Sequence, residues 1–320
     1  GHQGDVGHPV CVQYTPGKEP IADPFTAISA IPAATSSMRN MSAVRFNVPA
    51  FEPEKCTGCA KCWTQCPDSA IPGVVNTVEE ILETAVNTVA SPQEPLIRFS
   101  QIIKHLGKES RKIIAAGTFK NFASVLAQAY KTVAKKSNWD AERHAEVDAQ
   151  YNMVYSALAD FPLAKTAPFF DVPESKKKGS GGLLSITVNP ETCKGCDICV
   201  AVCADGAPTS VRQTEEFQET LEDNWKLWQN LPETDDQYIK ISSLDDGIGV
   251  MSSLLLKQSN YMSMVGGDGA CMGCGEKTTV HLLLSTVNAF MGPRVKEHIK
   301  RLEKMIKDLD EKAHDLLISG

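Results

Sequence analysis

Apolar residues recur at helical spacing through one long central stretch of the chain. Residues 76–82 open with a capping signal and continue with apolar positions three and four apart, which is typical of an amphipathic helix. The same periodicity returns further along, at residues 102–106, 122–133 and 152–158. We therefore predict about four helices here, with breaks near Pro92, Gly107 and Asn138.

Short apolar runs on either side of this stretch favour strands. Residues 43–48 and 183–188 each have the character of a strand, and each precedes a cysteine-rich loop. A unit of strand, loop and helix is therefore used twice, as a widely separated internal repeat.

The second half of the chain predicts further helical elements. Residues 214–231 have the pattern of an amphipathic helix, and residues 254–256 suggest a short buried element. Residues 294–317 are highly charged but carry an apolar stripe. They form either a helix packed on the body or a helical hairpin arm. Pairing of this helix with a partner helix in a coiled coil is a further alternative, although three heptads make a short coiled coil.

Two segments lack regular periodicity. Residues 1–45 contain Pro16, Pro20, Pro24 and Pro32, which discourage long helices, so we expect an extended N-terminal arm. Residues 176–182 combine three lysines with glycine and serine, which predicts a flexible, solvated linker.

The composition is that of an ordinary globular protein. A length of 320 residues suggests about two domains, and a net charge of −7 argues against nucleic-acid binding. No apolar run is long enough to span a bilayer. The sequence begins at Gly1 without Met, so we expect an excised fragment, a processed chain or a tagged piece. No signal peptide is visible, so we expect a cytoplasmic protein.

Ten of the eleven cysteines fall into three tight groups, and Cys11, which we expect to be a plain thiol, stands alone. Two groups share the spacing C-x2-C-x2-C-x3-C, which is the bacterial signature for [4Fe–4S] ligation. The first motif consists of Cys56, Cys59, Cys62 and Cys66, followed by proline. The second motif consists of Cys193, Cys196, Cys199 and Cys203, with alanine in place of the proline.

Two such motifs in one chain predict shared ligation. In two-cluster ferredoxins, the fourth cysteine of each motif binds the other cluster. We therefore assign one cluster to Cys56, Cys59, Cys62 and Cys203. The other cluster takes Cys193, Cys196, Cys199 and Cys66. Structural zinc is the alternative, but four-cysteine zinc sites usually use two separate C-x2-C pairs, which leaves the third cysteine of each motif unexplained.

The third group carries a family resemblance. Residues 271–276 have the sequence C-M-G-C-G-E, which resembles the segment that opens the thiamine-diphosphate domain of pyruvate:ferredoxin (2-oxoacid:acceptor) oxidoreductases. A two-cluster ferredoxin-like domain also precedes this segment in that family. The resemblance implies that Cys271 and Cys274 supply two of the four ligands of a third [4Fe–4S] cluster. It also implies that Glu276 contacts thiamine diphosphate, which the full-length enzyme binds with Mg²⁺.

The resemblance implies an α+β fold in five parts. They are an N-terminal arm (1–45), a bicluster ferredoxin-like core (46–75 and 183–213), a helical insertion with its linker (76–182), a connecting segment (214–265), and the partial start of a thiamine-diphosphate domain with a helical tail (266–320). The implied function is electron transfer through two clusters, as a portion of an enzyme that oxidatively decarboxylates a 2-oxoacid to acyl-CoA.

The implied partners are the remaining domains of that parent enzyme, with ferredoxin or flavodoxin as electron acceptor. The resemblance is also compatible with a homodimeric parent enzyme. We expect no nucleic-acid or membrane partner, and no oxoacid turnover by this chain alone. The alternative is a ferredoxin-like electron-transfer subunit of another redox complex, without thiamine chemistry. Thiamine diphosphate binding by the parent polypeptide would distinguish the two.

Overall fold

A computed structural model describes residues 40–91, 93, 95–117, 119–239, 254–262 and 275–319. The described chain belongs to the α+β class, with helices and small antiparallel sheets. The strands are β1 (Asn47–Phe51), β2 (Gly73–Asn76), β3 (Leu163–Ala164), β4 (Leu183–Ile186) and β5 (Pro208–Arg212). The helices are α1 (Lys61–Thr64), α2 (Val78–Val89), α3 (Ile97–Ser100), α4 (Ile103–Ala116), α5 (Phe122–Lys136), α6 (Ala141–Leu158), α7 (Val172–Lys176), α8 (Ile198–Ala201), α9 (Glu215–Asn230), α10 (Gln258–Met262) and α11 (Gly275–Ser319).

Both sheets join strands from distant parts of the chain. β1 pairs antiparallel with β5, with Asn47 opposite Arg212. β4 lies between β2 and β3 and is antiparallel to both. The first cysteine motif lies between β1 and β2, and the second lies between β4 and β5. The two pairings therefore hold the two cysteine loops side by side.

Side-chain caps mark the starts of three central helices. Thr77 caps α2 in a reciprocal capping box with Glu80. Asn121 and Asp140 cap α5 and α6 by accepting backbone N–H groups. The predicted helices at 76–82, 122–133 and 152–158 are confirmed, although each is longer than its apolar core. The helix predicted at 214–231 is confirmed as α9, which Thr214 caps.

The predicted break near Gly107 is wrong, because α4 continues through it. Gly107 is buried inside the helix, and a Cβ at this position would collide with the Glu79 side chain of α2. Glu79 also pairs with Arg111, one turn further along α4. The missing side chain therefore allows two helices to approach closely, and it does not reverse the chain.

The strand predicted at 43–48 is displaced. Residues 42–44 form a turn, and β1 starts only at Asn47. Arg45 lies before β1, and its side chain donates hydrogen bonds to the carbonyl oxygens of Pro190 and Cys193. Pro49 is tolerated in β1 because, among the described residues, this strand has β5 as its single neighbour. The strand predicted at 183–188 is confirmed as β4.

The predicted flexible linker at 176–182 is only partly correct. The three lysines are exposed, but Gly181 and Gly182 are buried. The carboxylate of Glu174 accepts hydrogen bonds from the N–H groups of Gly179 and Gly181. The N–H of Gly182 donates to the carbonyl of Phe169 at 2.9 Å. These bonds make the segment an ordered turn that leads into β4.

The buried side chains form two hydrophobic cores. One core fills the space among α2 to α6 and includes Trp225 and Trp228 of α9. The indole rings of these two residues stack with centroids 5.1 Å apart. The other core surrounds the cysteine loops and includes Trp63, which is fully buried. The helical insertion therefore shares its core with α9.

The insertion also contributes to the part of the fold that contains the cysteines. Asn76 lies opposite Leu183 in the sheet, so the two ends of the insertion are neighbours. β3, which lies within the insertion, pairs with β4. The side chain of Thr166 lies against Gly58 of the first cysteine loop.

The C-terminal segment is one continuous helix. α11 covers 45 residues and begins well before the predicted boundary at residue 294. Its apolar stripe is exposed at Ile299, Leu302, Met305, Ile306 and Leu309. None of the described helices is both long and apolar enough to cross a membrane. The predicted N-terminal arm up to residue 39, Cys11 included, lies outside the described residues.

The shared core predicts a large loss of stability in Trp228→Ala. This side chain is fully buried among residues of the insertion helices, so we expect the free energy of unfolding to fall by about 3–5 kcal/mol. Urea denaturation followed by far-UV circular dichroism measures it. Lys226→Ala on the same helix is the control, because the lysine side chain is 61% exposed. A loss below about 1 kcal/mol for Trp228→Ala would contradict a shared core.

Candidate functional site

The eight cysteines of the two motifs line two cavities. The first cavity is bordered by Cys56, Cys59, Cys62 and Cys203. The second cavity is bordered by Cys66, Cys193, Cys196 and Cys199. Each cavity takes three cysteines from one motif and the last cysteine from the other. These are the two sets that the crossed arrangement predicts, and the ligand assignment itself stays a prediction.

The two loops repeat the same backbone conformation. Gly58 and Gly195 occupy equivalent places in their motifs and have φ angles of +76° and +65°. Two residues later, Ala60 and Asp197 also have positive φ, at +69° and +58°. These last two residues immediately precede α1 and α8. Left-handed conformations at residues other than glycine are unfavourable, so their repetition marks a shape that both loops require.

Backbone N–H groups donate to the sulfur atoms. The N–H of Ala70 lies 3.2 Å from Cys66 Sγ, and the N–H of Ala207 lies 3.4 Å from Cys203 Sγ. These two sulfurs belong to the cysteines that cross between the motifs. Hydrogen bonds to sulfur favour the thiolate over the neutral thiol.

Burial acts in the opposite direction on the thiols. It raises the pKa of Cys56 to about 11 and that of Cys66 to about 12. Burial also raises the pKa of Cys62 and Cys199, and neighbouring thiols add to the effect. For Cys193, burial raises the pKa and the Arg45 guanidinium opposes the rise. Cysteines in such surroundings become thiolates when a bound metal group supplies positive charge.

Each cavity is bordered by four cysteine side chains. Among the residues that the structure describes, no group of three or more His, Cys, Asp or Glu residues is arranged to hold a single metal ion. The eight cysteines are also free of disulfides. The donor set at each cavity is therefore four thiols.

Charged side chains tie the two loops together. Lys194 Nζ lies 2.7 Å from Asp68 Oδ1, and both side chains are almost completely buried. Thr57 donates a hydrogen bond to Asp205 at 2.9 Å across the first cavity. Sequence reasoning missed these residues and Arg45. The signal available was the position of Asp68 and Lys194, since each lies within two residues of a motif cysteine.

Tyr261 lies near both cavities and was also missed. The residue is fully buried on α10, and its hydroxyl oxygen accepts the N–H of Ile71 at 3.0 Å. Burial raises its pKa, and the thiols of Cys66, Cys62 and Cys199 also act on it. Nothing in the sequence around Tyr261 distinguishes it, because its place depends on how α10 folds back onto the loops.

The third cysteine group is not described by the structure. Cys271 and Cys274 lie outside the described residues, and so does the side chain of Glu276, which stands in the first turn of α11. The expected third cluster and thiamine contact therefore stay predictions.

Parts of the chain are similar to two large redox enzymes. The pyruvate-flavodoxin oxidoreductase of Nostoc sp. is 28% identical over 129 residues, which are 38% of this chain and 10% of that protein. The pyruvate-flavodoxin oxidoreductase of Rhodospirillum rubrum is 31% identical over 113 residues, 33% of this chain and 8% of that protein. The chain thus spans about a tenth of the length of these curated relatives. No family model matches the chain, and no solved structure matches it.

The loop geometry predicts that Gly195→Ala is more harmful than Gly206→Ala. The two glycines have nearly equal φ angles of +65° and +64°, so each alanine incurs a similar left-handed cost of about 1–2 kcal/mol. At Gly195 a Cβ would also collide with the carbonyl oxygen of Asn47, whereas at Gly206 it meets open space.

We expect Gly195→Ala to lower the free energy of unfolding by about 1–3 kcal/mol more than the control. Urea denaturation under anaerobic conditions compares the two variants. Equal decreases in the free energy of unfolding of the two variants would show that the second loop can move away from β1 without loss of stability.

Proposed function

We propose that this chain is an electron-transfer module that holds two [4Fe–4S] clusters. The observation that carries the proposal is the grouping of eight cysteines around two cavities, four to each, with one cysteine exchanged between the motifs. When bound, the clusters would supply one-electron transfer, which no side chain of the described residues supplies by itself.

The donor set fits this group. Four thiolates per cluster are what [4Fe–4S] ligation requires, and each cavity offers four cysteines. The hydrogen bonds from Ala70 and Ala207 reach sulfur atoms, as hydrogen bonds that tune cluster potentials do. A single zinc ion with four cysteine ligands usually takes two separate C-x2-C pairs, which leaves the third cysteine of each motif unexplained.

Apolar residues cover the inner side of the sites. Val48, Trp63 and Leu256 are fully buried in the core that contains the cysteines. A dry surrounding strengthens every electrostatic interaction at the clusters. On the outer side, Cys59 is exposed, and Cys56, Cys196 and Cys203 are partly exposed. One edge of the first site therefore reaches the surface, where an electron partner could approach it.

The parent enzyme in this proposal is related to the pyruvate-flavodoxin oxidoreductases. Its support is the partial similarity to the Nostoc and Rhodospirillum rubrum proteins and the C-M-G-C-G-E segment at 271–276. In such an enzyme, Cys271 and Cys274 would contribute to a third cluster, and Glu276 would contact thiamine diphosphate held with Mg²⁺. The 2-oxoacid would be oxidised in other domains, and flavodoxin or ferredoxin would accept the electrons.

The first test is the metal content of the anaerobically purified or reconstituted chain. Two filled sites predict about eight iron atoms and about eight acid-labile sulfides per chain. Reduction with dithionite should then give the electron paramagnetic resonance signals of two interacting [4Fe–4S]⁺ centres. About one zinc ion per motif, without labile sulfide, would contradict the proposal.

Crossed ligation predicts opposite outcomes for two double variants. Cys59 and Cys196 are the second cysteines of their motifs, so they form a matched pair. Cys66→Ala with Cys196→Ala removes two ligands of the same site and should leave about four iron atoms per chain. Cys66→Ala with Cys59→Ala removes one ligand from each site and should leave fewer. Iron analysis decides between them, with circular dichroism to check folding. The reverse order would show that each motif serves one cluster by itself.

A further inference from the structure

Arg45 is a buried cation that donates hydrogen bonds to carbonyl and amide oxygens and to the side chain of Cys193. The residue is only 6% exposed. Its Nη1 donates to the carbonyl oxygens of Pro190 and Cys193, at 2.6 Å each. Its Nε and Nη2 donate to the side-chain oxygens of Gln213 and Gln218, at 2.6 and 2.7 Å. Among the described residues, the acidic group whose charge acts on the guanidinium is the Cys193 thiol, and no carboxylate pairs with it.

A buried charge without an opposite charge is unfavourable, and arginine does not lose its proton to avoid it. The carbonyl and amide oxygens around Arg45 satisfy its hydrogen-bonding groups but do not neutralise it. Among the described residues, the acidic group nearest in effect is Cys193, which borders the second cavity, so opposite charge at that cavity would compensate Arg45. A cluster held by four thiolates carries net negative charge there, and it gains a further negative charge on reduction.

The other charges at the second cavity do not replace Arg45. Lys194 and Asp68 form a buried pair and neutralise each other. Asp197 is half-buried, and its carboxylate accepts a hydrogen bond from Ser210 at 2.9 Å. In the part of the chain that the structure describes, Arg45 is thus a buried cation without a carboxylate partner on this side of the fold.

The first cavity has a different arrangement. The charged residues that border it are Lys61 and Asp205, and both are exposed. Water and salt screen exposed charges far more than buried ones. A fixed charge close to a cluster should therefore matter more at the second site than at the first.

We propose that Arg45 sets the reduction potential of the second-site cluster by stabilising its reduced, more negative form. Arg45 is then a positioning residue for electron transfer, since it acts through Cys193 and the loop at 190–193. This inference rests on the proposed function, because it requires that clusters are bound.

The test is an anaerobic redox titration of the reconstituted full chain, followed by electron paramagnetic resonance. Arg45→Gln removes the charge, and Arg45→Lys keeps it while losing the forked hydrogen bonds. Arg212→Gln is the matched control, since it removes an exposed arginine that stacks on Phe46. Cys196→Ala identifies the second-site signal, because that signal should disappear in this variant.

We expect Arg45→Gln to disfavour reduction of the second-site cluster at least tenfold, which is 59 mV for one electron. Arg45→Lys should keep the potential within a third of that shift, and the first-site potential and Arg212→Gln should stay unchanged. Full iron content with an unshifted second-site potential in Arg45→Gln would overturn the inference and leave the proposed function standing. Loss of the second cluster in both Arg45 variants would show that Arg45 is needed to assemble the site, and it would overturn the assigned role in setting the potential. A wild-type chain without clusters would overturn both proposals.

Discussion

The antiparallel pairing between strands of the two halves is the constraint on which both cavities depend. β1 pairs with β5 and β2 pairs with β4, so each cysteine loop is fixed at both ends by strands that flank the other loop. Without these pairings, neither cavity would receive its fourth cysteine from the distant motif. The long helical insertion does not disturb the arrangement, since loop-closure entropy grows only slowly with length and its ends lie opposite each other in the sheet.

Burial of the thiols disfavours their charged form, and other groups of the site oppose this effect. Desolvation favours the neutral form of Cys62 and Cys66, whereas ligation requires thiolates. Backbone N–H groups and the guanidinium of Arg45 supply part of the compensation as fixed dipoles and charge. A cationic metal core would supply the remainder. The dry core around Trp63 makes each of these contributions larger than it would be in water.

Local signals in the sequence predict the features that depend on neighbouring residues. The cysteine spacing indicates two similar loops, and Thr77 and Thr214 mark helix starts that the structure confirms. Features that depend on distant packing escape this reasoning. Gly107 looks like a helix break because the sequence does not reveal that α2 crosses there. The Lys194–Asp68 pair joins residues 126 positions apart, so the sequence marks each residue by its nearness to a motif cysteine but does not reveal the pairing.

The same sequence separation has a consequence for biosynthesis. Because strand partners lie in opposite halves, the first cysteine loop leaves the ribosome before the residues that complete its site exist. At about 5–20 residues per second, synthesis of the 126 positions between Asp68 and Lys194 takes roughly 6–25 s. During that interval the first motif lacks Cys203, which completes the border of its cavity. The insertion helices, whose contacts are more local, can already begin to fold.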